Sequence, residues 1–244
     1  MYISEKEQMM YQVMKAINDS GIPICFKGSM VLKACLYEAG YSEALRHTVD
    51  IDANWNTDAP LTAEKMVESL QNAIDNAGLS LQVSIYRMYA EKRSAGFMLT
   101  DRISGVELFG MDIDVNRPIS SKKLYEIAGF SFVGTSPTQI IADKVAAISS
   151  DSVFRRIKDV LDIYYISKTF SFCKKDVLNA LSESQRTLGD FKGFMNRQED
   201  LKHAYEKFRL GGDIPKPQFD DVYKTVKRFI KTILPKEKKI EYGR

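Results

Sequence analysis

Between Phe26 and Trp55 a Gly-Ser turn, Gly28-Ser29, is followed by Asp50-Ile51-Asp52, and no other pairing restricts the chain as strongly. The run Ile22 to Phe26 is short and apolar, Lys27-Gly28-Ser29 is turn-like, and Met30 to Tyr37 repeats its apolar residues at helical spacing. The segment therefore predicts strand, turn and helix. A helix that opens after such a turn offers unpaired N–H groups and the positive end of its dipole, and glycine lets phosphate oxygens approach the backbone. Ser29 is expected to cap that helix.

Thr48 to Trp55 alternates polar and apolar residues. As a strand it turns Asp50 and Asp52 to one face, with Cα atoms about 6.5–7 Å apart. Two ionised carboxylates about 4 Å apart repel by about 4 kcal/mol at an effective dielectric near 20, and a bound cation turns that repulsion into attraction. Oxygen-only ligation favours Mg2+ or Mn2+ over zinc.

The 244 residues suffice for one large domain or two small ones, and two unequal lobes are expected. With 27% charged and 44% hydrophobic residues, the composition suits a folded globular chain. The N-terminus reads as an amphipathic helix with acidic residues and not as a secretory signal, and no apolar run approaches the roughly 18 residues of a membrane span. Cys25, Cys35 and Cys173 lack metal-type spacing, and their odd number argues against a disulfide framework. A cytoplasmic location follows as the expectation. With only His47 and His203, histidine-based zinc chemistry is disfavoured. The net charge of +3 is uneven: Lys224 to Arg244 holds eight Lys/Arg against two Glu. Such a basic end suits contact with a nucleic-acid backbone, and equally a solvated helix face.

Helices are expected over about Ser4–Asn18 and Thr62–Ala77, followed by strands over Leu79–Ala90, Ala95–Leu99 and Val106–Val115. The last of these carries Asp112 and Asp114 on one face. A phosphoryl-transfer site with two cations gains from a third carboxylate. After a short strand near Phe130–Val133 the composition becomes helical from Thr138 onward, with proline just inside the first of these helices. The expected fold class is α/β (α+β): a mixed sheet with flanking helices over residues 1–135, followed by a helical domain over 136–244. Gly211-Gly212 is read as a helix C-cap.

Gly-Ser opening a helix, with Asp-x-Asp on the next strand, resembles the signature of nucleotidyltransferases related to DNA polymerase beta. Lys27-Gly28-Ser29, the Leu-containing helix after it and Arg46-His47-Thr48-Val49-Asp50-Ile51-Asp52 are similar to the AbiEii/AbiGii toxin family, which includes the MenT-type toxins. Lys144 in Ile140–Ala147, followed by Arg155-Arg156-Ile157-Lys158-Asp159-Val160-Leu161-Asp162, resembles that family's second signature. The resemblance spans residues 22–165. It implies a metal-dependent nucleotidyltransferase, the toxin of a type IV AbiE-like toxin–antitoxin system, acting on an RNA acceptor such as the 3′ end of tRNA and countered by a cognate antitoxin.

On this resemblance Gly28 and Ser29 hold the NTP, and Asp50, Asp52 and Asp114 are metal ligands for Mg2+ or Mn2+. Asp112 stands as the substitute for Asp114. Lys144 contacts the phosphates and Asp159 orients it or a neighbouring basic group, with Lys158 and Arg156 as further phosphate contacts. Read on their own, Arg155, Asp159 and Asp162 form one helical stripe that also suits a surface ion-pair ladder. Small-molecule nucleotidylation of the aminoglycoside type shares the Gly-Ser and Asp-x-Asp elements, and a nucleotide-binding module without turnover is the alternative of a different class.

Overall fold

The computed structural model describes residues 3–41, 43, 45–56, 62–89, 94–115, 119, 121–211 and 214–234. Gly212 and the basic tail beyond Leu234, both singled out above, lie outside them. Among the described residues the chain runs α1 (Glu5–Asp19), β1 (Ile24–Lys27), α2 (Gly28–Glu38), β2 (Asp50–Trp55), α3 (Ala63–Asn76), β3 (Leu81–Tyr89), β4 (Ser94–Asp101) and β5 (Glu107–Asp114). It continues with β6 (Lys122–Ile127), β7 (Phe130–Thr135), α4 (Pro137–Ile148), a 3-10 turn (Val153–Arg156), α5 (Ile157–Thr169), α6 (Lys174–Glu183), α7 (Lys192–Asn196), α8 (Gln198–Lys207) and α9 (Phe219–Ile233).

The strands form one seven-stranded mixed sheet in the order β3-β4-β5-β2-β1-β7-β6. β1 pairs antiparallel with β2, β2 pairs parallel with β5, and β1 pairs parallel with β7. On β2 and β5 the burial alternates: Ile51, Ala53, Phe109, Met111 and Ile113 enter the core, while Asp50, Asp52, Asp112 and Asp114 stay half-exposed on the other face. Period-2 patterning thus separates a packed face from an acidic one. Helices α1, α2 and α3 pack against β7, β6 and β3 respectively.

Local chemistry sets the helix starts. Ser4 and Glu7 form a capping box on α1, Thr62 accepts from Lys65 N–H at α3, and Ser136 accepts from Gln139 N–H with Pro137 at the first turn of α4. Helix α2 differs from expectation. Its N-cap is Lys27, which makes no side-chain cap bond, so Ser29 lies inside the first turn and does not cap it. Strand β6 is also absent from the sequence reading: it is a sheet edge in which only Tyr125 and Ile127 are buried, too polar to register as a strand. Gly211 is no helix C-cap, since α8 ends on Phe208; at φ +87° it lies where a Cβ would come within 2.9 Å of the His47 ring.

Candidate active site

The sheet supplies one wall. Register aligns Lys27 with Asp52 across β1 and β2, and Asp52 with Asp112 across β2 and β5, so the three side chains share a row on the acidic face. Asp114 sits opposite Asn54, one row further along. Gly28 adopts φ +74°, and a Cβ there would fall 2.2 Å from Asp52 Oδ2. Only glycine fits, because the turn needs the left-handed region and brings the backbone against the carboxylate. Gly28 and Asp52 therefore stand against one another at the mouth of the turn. Burial pushes the Asp52 carboxyl above its usual range and Asp50 adds to it, against the pull of Lys27, Lys144 and Lys158. Ionisation of Asp52 is thus opposed by burial and by its neighbour Asp50.

The third strand is engaged differently. Asp112 accepts from Arg87 of β3 at 2.8 Å. Asp114 accepts from Ser94 Oγ at 2.9 Å and lies 3.9 Å from Lys27 Nζ. Burial lowers the Lys27 pKa, while Asp114, Asp52 and Asp143 act to raise it. Among the described residues no group of three His, Cys, Asp or Glu side chains stands assembled for a metal ion. Both acids of β5 face cations of the chain.

The helices supply the opposite wall. Lys144 of α4 is buried, 2.7 Å from Asp159 Oδ1 and 2.8 Å from Asp162 Oδ2 of α5. Arg46 grips Asp162 from the far side, Nε to Oδ1 at 3.2 Å and Nη2 to Oδ2 at 3.1 Å. Burial works against the Lys144 charge, but Asp162 and Asp159 outweigh it and raise its pKa. Burial likewise opposes ionisation of Asp162, yet Arg46 and Lys144 hold its pKa down at about 2. The stripe on α5 is consequently no surface ladder. Asp159 and Asp162 point into the protein, and Arg155 stays exposed beside the Phe154 ring.

The segment leading into β2 is tied down from three sides. Arg46 binds Asp162, His47 N–H donates to Leu210 O at 2.9 Å, and Thr48 N–H donates to Glu7 Oε1 at 3.1 Å. Glu7 is fully buried and also pairs with Lys33 at 2.6 Å. These anchors fix where β2 begins, and hence where Asp50 and Asp52 stand.

Between the walls lies an open cleft of about 600 Å³. Lys27, Gly28, Asp52, Asp143, Lys144, Arg156, Lys158, Asp159 and Arg186 line it together with Thr135 and small residues of α4. Five cationic side chains thus meet one cavity, as a polyanionic ligand requires. Asp50 and Asp114 do not line this cleft, and Ser29 instead borders a small neighbouring cavity with Arg46, Thr48 and Asp162. Lys27, Arg46, Asp162 and Arg186 are additions to the expected set. The first three lie within the quoted signatures, but Arg186, paired with Asp143 at 2.5 Å, comes from a loop after α6 with no sequence signal.

Residues 12–225 match the family model described as the nucleotidyl transferase AbiEii toxin of type IV toxin–antitoxin systems. The chain belongs to the AbiEii nucleotidyltransferase toxin family. As a member of it, the chain is a nucleotidyltransferase. A solved structure of an antigenic nucleotidyltransferase-like protein from Paracoccidioides brasiliensis is similar in fold, with a TM-score of 0.50 and 15% identity over 82% of this chain and 91% of that one. MenT4, a nucleotidyltransferase toxin from Mycobacterium tuberculosis H37Rv, aligns with a TM-score of 0.49 and 11% identity over 93% of this chain and 89% of its own. No curated protein matches the sequence. Among the described residues of this AbiEii-family enzyme, no helix is long and apolar enough to cross a membrane.

Proposed function

We propose that the chain transfers a nucleoside monophosphate from an NTP to an RNA acceptor such as the 3′ end of tRNA, in a reaction dependent on Mg2+ or Mn2+, and that an antitoxin opposes it. One observation carries this reading: a single cleft brings Gly28 and Asp52 of the sheet opposite Lys144 and Asp159 of the helices. The acceptor oxygen bonds to the α-phosphorus, the bond to the β-phosphate bridging oxygen breaks, and pyrophosphate leaves. The protein's part is positioning and charge.

Asp50 and Asp52 are the donors for the cation. They are hard oxygen ligands on one face of β2, and the upward push on Asp52 from burial and from Asp50 is what a divalent ion relieves. When bound, that ion supplies charge neutralisation for the triphosphate and the departing pyrophosphate. Gly28 lines the cleft at the start of α2, where backbone N–H groups and the helix dipole favour phosphate oxygens. Ser29, the next residue of the same turn, faces the small cavity beside the cleft and has its part through that turn. The exposed Arg156 and Lys158 and the half-buried Arg186 neutralise the outer phosphates. Lys144 has three N–H donors and two carboxylate partners, which leaves one donor for a phosphate oxygen. Asp159 holds it in place. Asp114, oriented by Ser94 and Lys27, takes the proton of the acceptor hydroxyl.

Incubation with each α-labelled NTP, Mg2+ and either total RNA or a panel of small hydroxylated acceptors tests the reading. Label on RNA of tRNA size supports it. Label only on a small molecule, or nucleotide binding without any transfer, contradicts it.

A further inference from the structure

The inference concerns how many cations this site takes, and it rests on the nucleotidyl-transfer reading above. A second divalent ion in such a site gains from a third carboxylate, and the strand beside the Asp-x-Asp pair, β5, is where this chain could supply one. In this chain β5 offers Asp112 and Asp114, and a cation of the protein has reached both. Arg87 holds Asp112 at 2.8 Å, on the side of β5 away from β2. Lys27, on β1, pairs in register with Asp52 of β2, and its Nζ comes within 3.9 Å of Asp114 Oδ2 on β5, the strand beyond β2. Its side chain is largely buried.

We propose that the Lys27 ammonium serves in place of a second divalent cation, so that the enzyme uses one metal ion, on Asp50 and Asp52, with Lys27 supplying the positive charge beside Asp114. Charge supports the assignment. One divalent ion together with one ammonium matches the three carboxylates Asp50, Asp52 and Asp114, whereas a second divalent ion would sit next to the ammonium and be repelled. The geometry agrees: each acid on β5 already has a cation of the chain beside it, Lys27 at Asp114 and Arg87 at Asp112.

Counting Mn2+ by electron paramagnetic resonance, with the full-length protein and a non-hydrolysable α,β-methylene NTP, tests this without turnover. The wild type is expected to hold one tightly bound Mn2+ per nucleotide, Lys27→Met to hold two, and Asp114→Asn to hold one with unchanged affinity. Two tight ions on the wild type, or loss of the single ion in Asp114→Asn, would overturn the proposal while leaving nucleotidyl transfer intact. Lys27→Met that is folded by circular dichroism yet still holds one ion would also overturn it. Nucleotide-independent Mn2+ binding, or none, would count against the functional reading itself.

Discussion

Arg46 and Asp162, 116 positions apart in sequence, form a two-contact ion pair that joins the segment entering β2 to helix α5. Through Asp162 the same contact reaches Lys144, so the two walls of the cleft share one buried charge network. Positioning of the Asp50–Asp52 pair and positioning of Lys144 are therefore coupled.

Arg46→Ala leaves Asp162 buried with one partner in place of two. Removing one member of a buried pair typically destabilises by about 3–5 kcal/mol. Arg46→Lys keeps the charge but not the fork, and should fall between wild type and Ala. Urea unfolding monitored by circular dichroism measures both, and an Arg46→Ala loss under about 1 kcal/mol would remove the strut from the account.

Lys144→Met leaves Asp159 and Asp162 facing one another with Arg46 alone. Both transfer and stability should drop, the latter again by about 3–5 kcal/mol. Adding Asp159→Asn removes one of the stranded charges. The double variant should regain much of the stability and none of the transfer; recovery of transfer would show that Lys144 serves only to neutralise Asp159.

Acid should loosen the network in a defined window. The Asp162 pKa falls from 3.8 unfolded to about 2 folded, so its contribution is fully present above about pH 4 and is lost as pH falls toward 2. A shift of that size corresponds to about 2 kcal/mol. Glu7 acts in the same direction: burial opposes its ionisation, but Lys33 and the backbone donors of Ser4 and Thr48 prevail. Stability measured from pH 6 to 2 should therefore fall mainly below pH 4, and Arg46→Ala should move that fall to higher pH.

Gly28→Ala meets two obstacles, a left-handed φ of +74° and a Cβ 2.2 Å from Asp52 Oδ2. The backbone penalty alone is about 1–2 kcal/mol. Because the displaced atom belongs to Asp52, transfer should fall further than stability does. Equal transfer in Gly28→Ala and wild type would mean that the close approach of Gly28 and Asp52 has no functional part.

Much of this site is legible in the sequence because it is local. The β1–turn–α2 unit, the shared face of Asp50 and Asp52, and the acidic face of β5 all follow from residue spacing, which fixes side-chain direction within an element. What spacing does not carry is which faces meet. Asp159 and Asp162 have the periodicity of an exposed ladder, and only packing of α5 against α4 and the Arg46 segment buries them against Lys144. Lys27 reads as part of a turn, and its reach to Asp114 depends on β5 lying two strands away. Arg186 enters from a loop that no periodicity constrains. Ser29 was expected as a cap on the strength of its type, but the glycine before it starts the helix one residue early.

The central claim is tested most directly by Asp52→Asn, through transfer and melting temperature measured on the same preparation. Ionised Asp52 destabilises the ligand-free fold above its raised pKa, owing to burial and then to Asp50, so the neutral amide should raise the melting temperature at pH 7. Label transfer from α-labelled NTP to RNA should fall at least about 100-fold in the same variant. A better-folded protein that no longer transfers is the predicted result, and transfer near the wild-type rate would contradict the account.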